Sequence, residues 1–79
     1  MVLHERRATV ELHLSEAEGY VAEGMRRVEK QRKIIANLER SGHNTLRAES
    51  LLRMLEDILA VHVAHRDRLR KELGHANLP

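Results

Sequence analysis

One spacing pattern constrains the fold of this chain: apolar residues recur at alternating steps of four and three along two long segments. The first segment covers residues 10–38 and is interrupted only at Gly24 and Gln31, and the second covers residues 48–73. Alternating steps of four and three keep side chains on one face of an α-helix. The pattern therefore predicts two helices, each with one apolar seam.

The residues between the two segments predict a tight reversal. Gly42 is suited to the left-handed conformation that closes a helix C-terminus. Asn44 or Thr45 can cap the free amides of a following helix. A stop signal followed so closely by a start signal implies two antiparallel helices.

The predicted boundaries follow from these signals. Helix 1 is expected over about residues 7–40, the turn over 41–45 and helix 2 over about 46–73. Gly74 is expected to close helix 2, which leaves residues 74–79 as a frayed tail.

The composition indicates that one hairpin is not a self-sufficient globule. The chain has 79 residues, one Tyr and neither Phe nor Trp, whereas aromatic side chains supply much of the burial in compact cores. Apolar residues beside both seams, among them Tyr20, Ile34, Leu51 and Ile58, make the stripes wider than one helix pair needs. The uncovered part of each stripe requires a partner.

We therefore predict an all-α fold. A single antiparallel, coiled-coil-like two-helix hairpin spans residues 1–79, and two copies pair into a four-helix bundle. Docking of one hairpin on an unidentified protein is the alternative. The predicted core and dimer seam comprises Val21, Val28, Ile35, Leu38, Leu52, Leu55, Leu59 and Leu69.

The charge pattern indicates a self-complementary surface. The chain has 14 basic and 12 acidic side chains and a net charge of +2. Helix 1 is acidic early and basic late, so folding about Gly42 places each half beside opposite charges of helix 2. A basic strip remains a candidate for anion or nucleic-acid binding, although it lacks the interleaved aromatics that favour nucleic acid. The strip comprises Arg26, Arg27, Lys30, Arg32 and Lys33.

Two histidines form a candidate metal site. His62 lies in the seam of helix 2 and His65 on its flank, three residues apart on one helical face. Folding the hairpin places Glu18 and Glu23 of helix 1 at a similar height. Two imidazoles with converging carboxylates can bind a divalent cation.

Packing is the competing interpretation of the same histidines. Gly24 is expected opposite His62, where a missing side chain would make room for the ring. Such a ring can bond to Gln31, a backbone carbonyl or water. Gln31 itself is typical of a residue that fixes register, and a seam histidine that charges on acidification is a third interpretation.

Catalysis and membrane insertion have no support in the motifs. The chain has no Cys and no Gly-rich phosphate loop, and no serine has a histidine and an acid arrayed beside it. We predict that the protein is not an enzyme and needs no cofactor. The charged first residues are not typical of a signal peptide, and no apolar run approaches a membrane span. A cytoplasmic location without membrane contact is the expectation.

Residues 11–70 contain a distinctive combination of short motifs. They are His13-Leu14, Ala17-Glu18, Val21-Ala22-Glu23-Gly24, Gln31-Arg32, Leu38-Glu39-Arg40, Gly42-His43 and His62-Val63-Ala64-His65-Arg66-Asp67-Arg68. With them the chain resembles a family of short bacterial helical-hairpin proteins that have no established function. The resemblance implies a free-standing accessory or regulatory component and carries over no functional residue.

Three functions follow as expectations. The leading one is a small interaction or scaffold module that acts as a homodimeric bundle. A metal-binding bundle built on His62 and His65 is the alternative, and anion or nucleic-acid binding by the basic strip is the third.

Overall fold

The computed structural model describes the backbone of residues 2–76 and the side chains of residues 6–75. In this part of the chain two α-helices pack along each other, α1 (Val2–Arg40) and α2 (Leu46–Ala76), and there is no strand. They form a rod of 61 × 15 × 14 Å. The predicted all-α hairpin is confirmed. Neither helix, over the described residues, is long and apolar enough to cross a membrane.

The end of α1 explains why the chain reverses where it does. Gly42 adopts a left-handed conformation with φ of 71°. Its amide donates to the Glu39 carbonyl at 3.1 Å, and the His43 amide donates to the Leu38 carbonyl at 2.9 Å. These two bonds define a Schellman motif, which satisfies the free carbonyls of the last helical turn. The predicted role of Gly42 is confirmed.

The start of α2 is capped by an asparagine. The Oδ1 atom of Asn44 accepts a hydrogen bond from the Leu46 amide at 2.8 Å. The Thr45 carbonyl accepts the first helical bond, from the Glu49 amide, at 2.8 Å. Of the two residues predicted to cap α2, Asn44 and Thr45, it is therefore the Asn44 side chain that supplies an acceptor for a free amide of the first turn.

Both helices extend further than the sequence pattern predicts. α1 begins at Val2, whereas the pattern places its start near residue 7. The predicted stop at Gly74 is wrong, because α2 runs through it to Ala76 and Gly74 does not have a positive φ. Leu73 packs against the buried cluster at this end, which holds the last turns in helical form. Residues 77–79 of the predicted tail lie outside the described residues.

The predicted seam faces inward along both helices. Four of its eight residues are buried, namely Val21, Val28, Ile35 and Leu69. The other four are half-buried, namely Leu38, Leu52, Leu55 and Leu59. Val10 and Ala17 are also buried and form a cluster with Leu69. Helix 1 thus provides most of the buried positions, while most seam residues of helix 2 retain exposed surface.

Two interruptions of the seam have distinct packing roles. Gly24 lies against Leu59, whose Cδ1 atom is 3.0 Å from the position of a Cβ built on the glycine. The expected pairing of Gly24 with His62 is therefore corrected: the space left by the glycine is filled by a leucine. Gln31 is 6% exposed, and its Nε2 donates to the Ala48 carbonyl at 2.9 Å. This bond ties the seam of α1 to the first turn of α2.

Candidate interaction face

The side chains beside the seam leave one side of the hairpin apolar. Tyr20 and Ile58 border the same surface depression of about 280 Å³, which fixes them on one side. Ile34 lies two heptads after Tyr20, and Leu51 lies one heptad before Ile58, so both continue these rows. On α2, Met54 lies four residues before Ile58 and Val61 lies three residues after it, and these two form a neighbouring row. We call the apolar face the set Tyr20, Ile34, Leu51, Met54, Ile58 and Val61.

The sequence pattern found only part of this face. It indicated Tyr20 and Ile34 on helix 1 and Leu51 and Ile58 on helix 2, but it did not include Met54 or Val61. The two missed side chains are 57% and 66% exposed. Their spacing of four and three residues from Ile58 is the signal that could have identified them.

A ring stack lies within the apolar face. The rings of Tyr20 and His62 have centroids 5.2 Å apart and an interplanar angle of 20°. His62 therefore packs on an aromatic ring of α1, which agrees with the packing interpretation of this histidine. His65 borders a second depression together with His13 and Tyr20. The two predicted metal-site histidines thus border neighbouring depressions that share Tyr20.

The predicted carboxylate ligands have cationic partners. Glu18 accepts a hydrogen bond from Arg70 at 3.3 Å, and Glu23 accepts one from Arg27 at 2.7 Å. Over the part of the chain that the structure describes, no three His, Asp or Glu side chains lie close enough together to hold a metal ion. The metal-binding function stays a prediction.

The side opposite the apolar face is linked by ion pairs between the helices. Arg32 bonds Glu56 at 3.2 Å and Arg70 bonds Glu18 at 3.3 Å. Glu18, Arg32 and Glu56 each precede a residue of the apolar face by two positions, which turns them by about 200° around the helix. The fold-back of acidic on basic segments occurs here as expected. Each pair is half-exposed, so it contributes only tenths of a kcal/mol and chiefly favours antiparallel pairing.

The structure divides the predicted basic strip. Arg27 and Arg32 bond Glu23 and Glu56, so their charges are largely answered. The other three have no salt-bridge partner among the described residues and share a sector of about 60° on the outer side of α1. They are Arg26, Lys30 and Lys33. Three cations on a helix, without a neighbouring aromatic ring, do not by themselves favour a particular anion.

The geometry thus defines a class of molecule: a helical hairpin whose exposed apolar side chains lie mainly on one side, opposite the Arg32–Glu56 and Arg70–Glu18 ion pairs, although Met25 is exposed on the ion-paired side. Comparisons of the chain with protein-family models, with curated proteins and with solved structures find no match. The resemblance to short bacterial hairpin proteins therefore stays a prediction.

Proposed function

We propose that this chain is a protein–protein interaction module that works as a homodimeric four-helix bundle. The observation that supports it is the apolar face, whose six side chains are 39–66% exposed in the single hairpin. Four of them follow one another at steps of three and four along α2, and Tyr20 and Ile34 flank them on α1. Apolar surface of this kind on a small soluble chain is typical of an interface.

The weakness of the single hairpin's core adds to this proposal. No large side chain is fully buried among the described residues, and the α2 seam residues Leu52, Leu55 and Leu59 remain half-buried. Burial of apolar area is the main favourable term in folding. A second hairpin laid on the apolar face would complete the cover of these leucines as well as that of the face itself.

A scaffold or accessory role for the dimer is part of this proposal. The ends and the outer sides of such a bundle, where Arg26 and Lys33 lie, would be available to another protein. No observation on the described residues favours the metal-binding or anion-binding function over this one. The cytoplasmic location stays a prediction.

The test is the mass of the protein in solution. Sedimentation equilibrium on the chain, which has a mass of 9.1 kDa, is expected to give twice that value at micromolar concentrations. Ile58→Asp should weaken the dimer by about a hundredfold or more, because each copy would bury an unpaired charge at the interface.

Leu12→Asp is the matched control. Leu12 is 57% exposed, comparable with Ile58 at 47%, but it lies on the outer side of α1, away from the seam. The same charge there is expected to leave the mass unchanged. A monomeric wild-type chain, or equal effects of the two substitutions, would contradict the proposal.

A further inference from the structure

The positions of the exposed residues specify how two copies pair. We infer that the hairpins dimerise with their turns at opposite ends, about a two-fold axis that crosses the apolar face at the level of Arg27 and Glu56. This inference rests on the proposed function, since it describes the geometry of that dimer. A second copy of this chain is the occupant of the apolar face.

The level of the axis follows from a contact between the helices. Gly24 of α1 lies directly against Leu59 of α2. Because the helices are antiparallel, Arg27, three residues after Gly24, lies at the level of Glu56, three residues before Leu59. The stack of Tyr20 on His62 agrees with this alignment to within one residue.

The apolar residues of α1 are placed symmetrically about that level. Tyr20 lies seven residues before Arg27 and Ile34 lies seven residues after it. At a rise of about 1.5 Å per residue, each is about 10 Å from the axis. A two-fold rotation there places Tyr20 of one copy against Ile34 of the other.

The apolar residues of α2 are symmetric about the same level. Leu51 and Val61 lie five residues before and after Glu56, and Met54 and Ile58 lie two residues before and after it. The same rotation pairs Leu51 with Val61 and Met54 with Ile58. Two helices with independent sequences therefore share one centre, which a two-fold interface of self-complementary surface requires.

The polar rim of α1 fits the same operation. Glu23 lies four residues before Arg27 and Lys30 lies three residues after it, so the rotation brings Glu23 of one copy near Lys30 of the other. Lys30 has no salt-bridge partner among the described residues. Arg27 lies near the axis, where each copy is neutralised by its own Glu23 at 2.7 Å. Opposite charges at matched positions fix orientation more than they add affinity.

The other two-fold arrangement fits poorly. With both turns at one end, α1 would lie against α2 of the partner at equal levels. Glu23 would then face the region of Val61, and Lys30 would face Met54. Charged groups would be desolvated against apolar side chains, which is costly.

In a dimer with its turns at opposite ends, the two hairpins overlap only over part of their length, and the apolar face lies within that overlap. Toward the free ends of the helices, Arg6 and Glu72 form an ion pair at 3.6 Å. This pair lies on the same rows as Tyr20 and Ile58, one heptad or more beyond the last apolar residue. A dimer centred at Arg27 leaves this polar end outside the overlap and in water.

Cysteine cross-linking tests the geometry, because the natural chain has no cysteine. Facing Cα atoms of helices packed about 8–10 Å apart come within disulfide range. Arg27→Cys is expected to form a covalent dimer with itself under mild oxidation. An equimolar mixture of Tyr20→Cys and Ile34→Cys should form the mixed disulfide at least tenfold more than a mixture of Tyr20→Cys and Val61→Cys. Ala22→Cys, exposed on the other side of α1, is the control that should not cross-link.

Sedimentation equilibrium on each variant before oxidation separates two kinds of failure. A dimeric mass with preferential Tyr20–Val61 cross-links, or without the Arg27 cross-link, would overturn the inferred geometry and leave the proposed dimer standing. A monomeric mass for the wild-type chain would overturn the proposed function itself.

Discussion

Gly24 offers the sharpest test of the packing between the two helices. In the middle of α1, replacing glycine by alanine stabilises a helix by about 0.5–1 kcal/mol, because glycine loses more backbone entropy on folding. At Gly24 the added methyl would lie 3.0 Å from Leu59 Cδ1, 3.6 Å from its Cβ and 3.8 Å from its Cα. The two longer distances are ordinary contacts, so only the Cδ1 atom has to move.

The expected result is a near cancellation. Turning the Leu59 side chain away from its preferred rotamer costs about 0.5–1.5 kcal/mol, which offsets the helix-propensity gain. Gly24→Ala should therefore change the free energy of unfolding by no more than a gain of about 0.5 kcal/mol or a loss of about 1 kcal/mol. Gly24→Leu adds three further carbons toward the same leucine and should lose about 2 kcal/mol through overpacking.

Gly19 provides the matched control. It lies in the same helix, and a Cβ added there meets nothing within 4 Å. Gly19→Ala should raise the free energy of unfolding by the full gain, about 0.5–1 kcal/mol. The assay is urea denaturation followed by circular dichroism, with all variants at one protein concentration because the stability of the proposed dimer would depend on it. Equal gains from Gly19→Ala and Gly24→Ala, together with a harmless Gly24→Leu, would refute the close packing of Gly24 on Leu59.

Two further predictions concern the turn and the seam. Gly42→Ala should lower the free energy of unfolding by about 1–2 kcal/mol, since alanine is strained at the left-handed φ of 71°; Gly42→Asn should lose less, and unchanged denaturation midpoints would argue against the Schellman closure. Gln31→Ala should lose about 2 kcal/mol, because it removes the bond to the Ala48 carbonyl and the buried side-chain carbons. Denaturation that matches the wild type would show that this bond does not stabilise the seam.

The features that depend on local periodicity could be predicted from the sequence. The heptad spacing identified Val21, Val28 and Ile35, which are buried, because a step of three or four residues decides which helical face a side chain occupies. The turn could also be predicted, because Gly42 and Asn44 act through hydrogen bonds to neighbours within a few residues. Interactions of this kind depend only on residues that are close together in the sequence.

The pairing between the helices was less accessible. The alignment of α1 on α2 depends on the path of the turn, and a shift of one or two residues changes which seam position faces which. This is why Gly24 was expected against His62 but lies against Leu59, and why His62 stacks on Tyr20. Periodicity predicts which residues of each helix face the other helix, but it does not predict the axial alignment of the two helices. The apolar face as a set, including the missed Met54 and Val61, follows only from the alignment of both helices.

The rod shape of the hairpin has a hydrodynamic consequence. Its radius of gyration is 17.9 Å, whereas a compact globule of this length has a value of about 12 Å. The same scaling gives 17.9 Å only for a globule of about 250 residues, roughly three times this chain. On a gel-filtration column calibrated with globular standards, a single hairpin would therefore elute earlier than a compact protein of the same mass. Friction alone would imitate self-association, so elution volume is a poor measure of stoichiometry for a molecule of this shape.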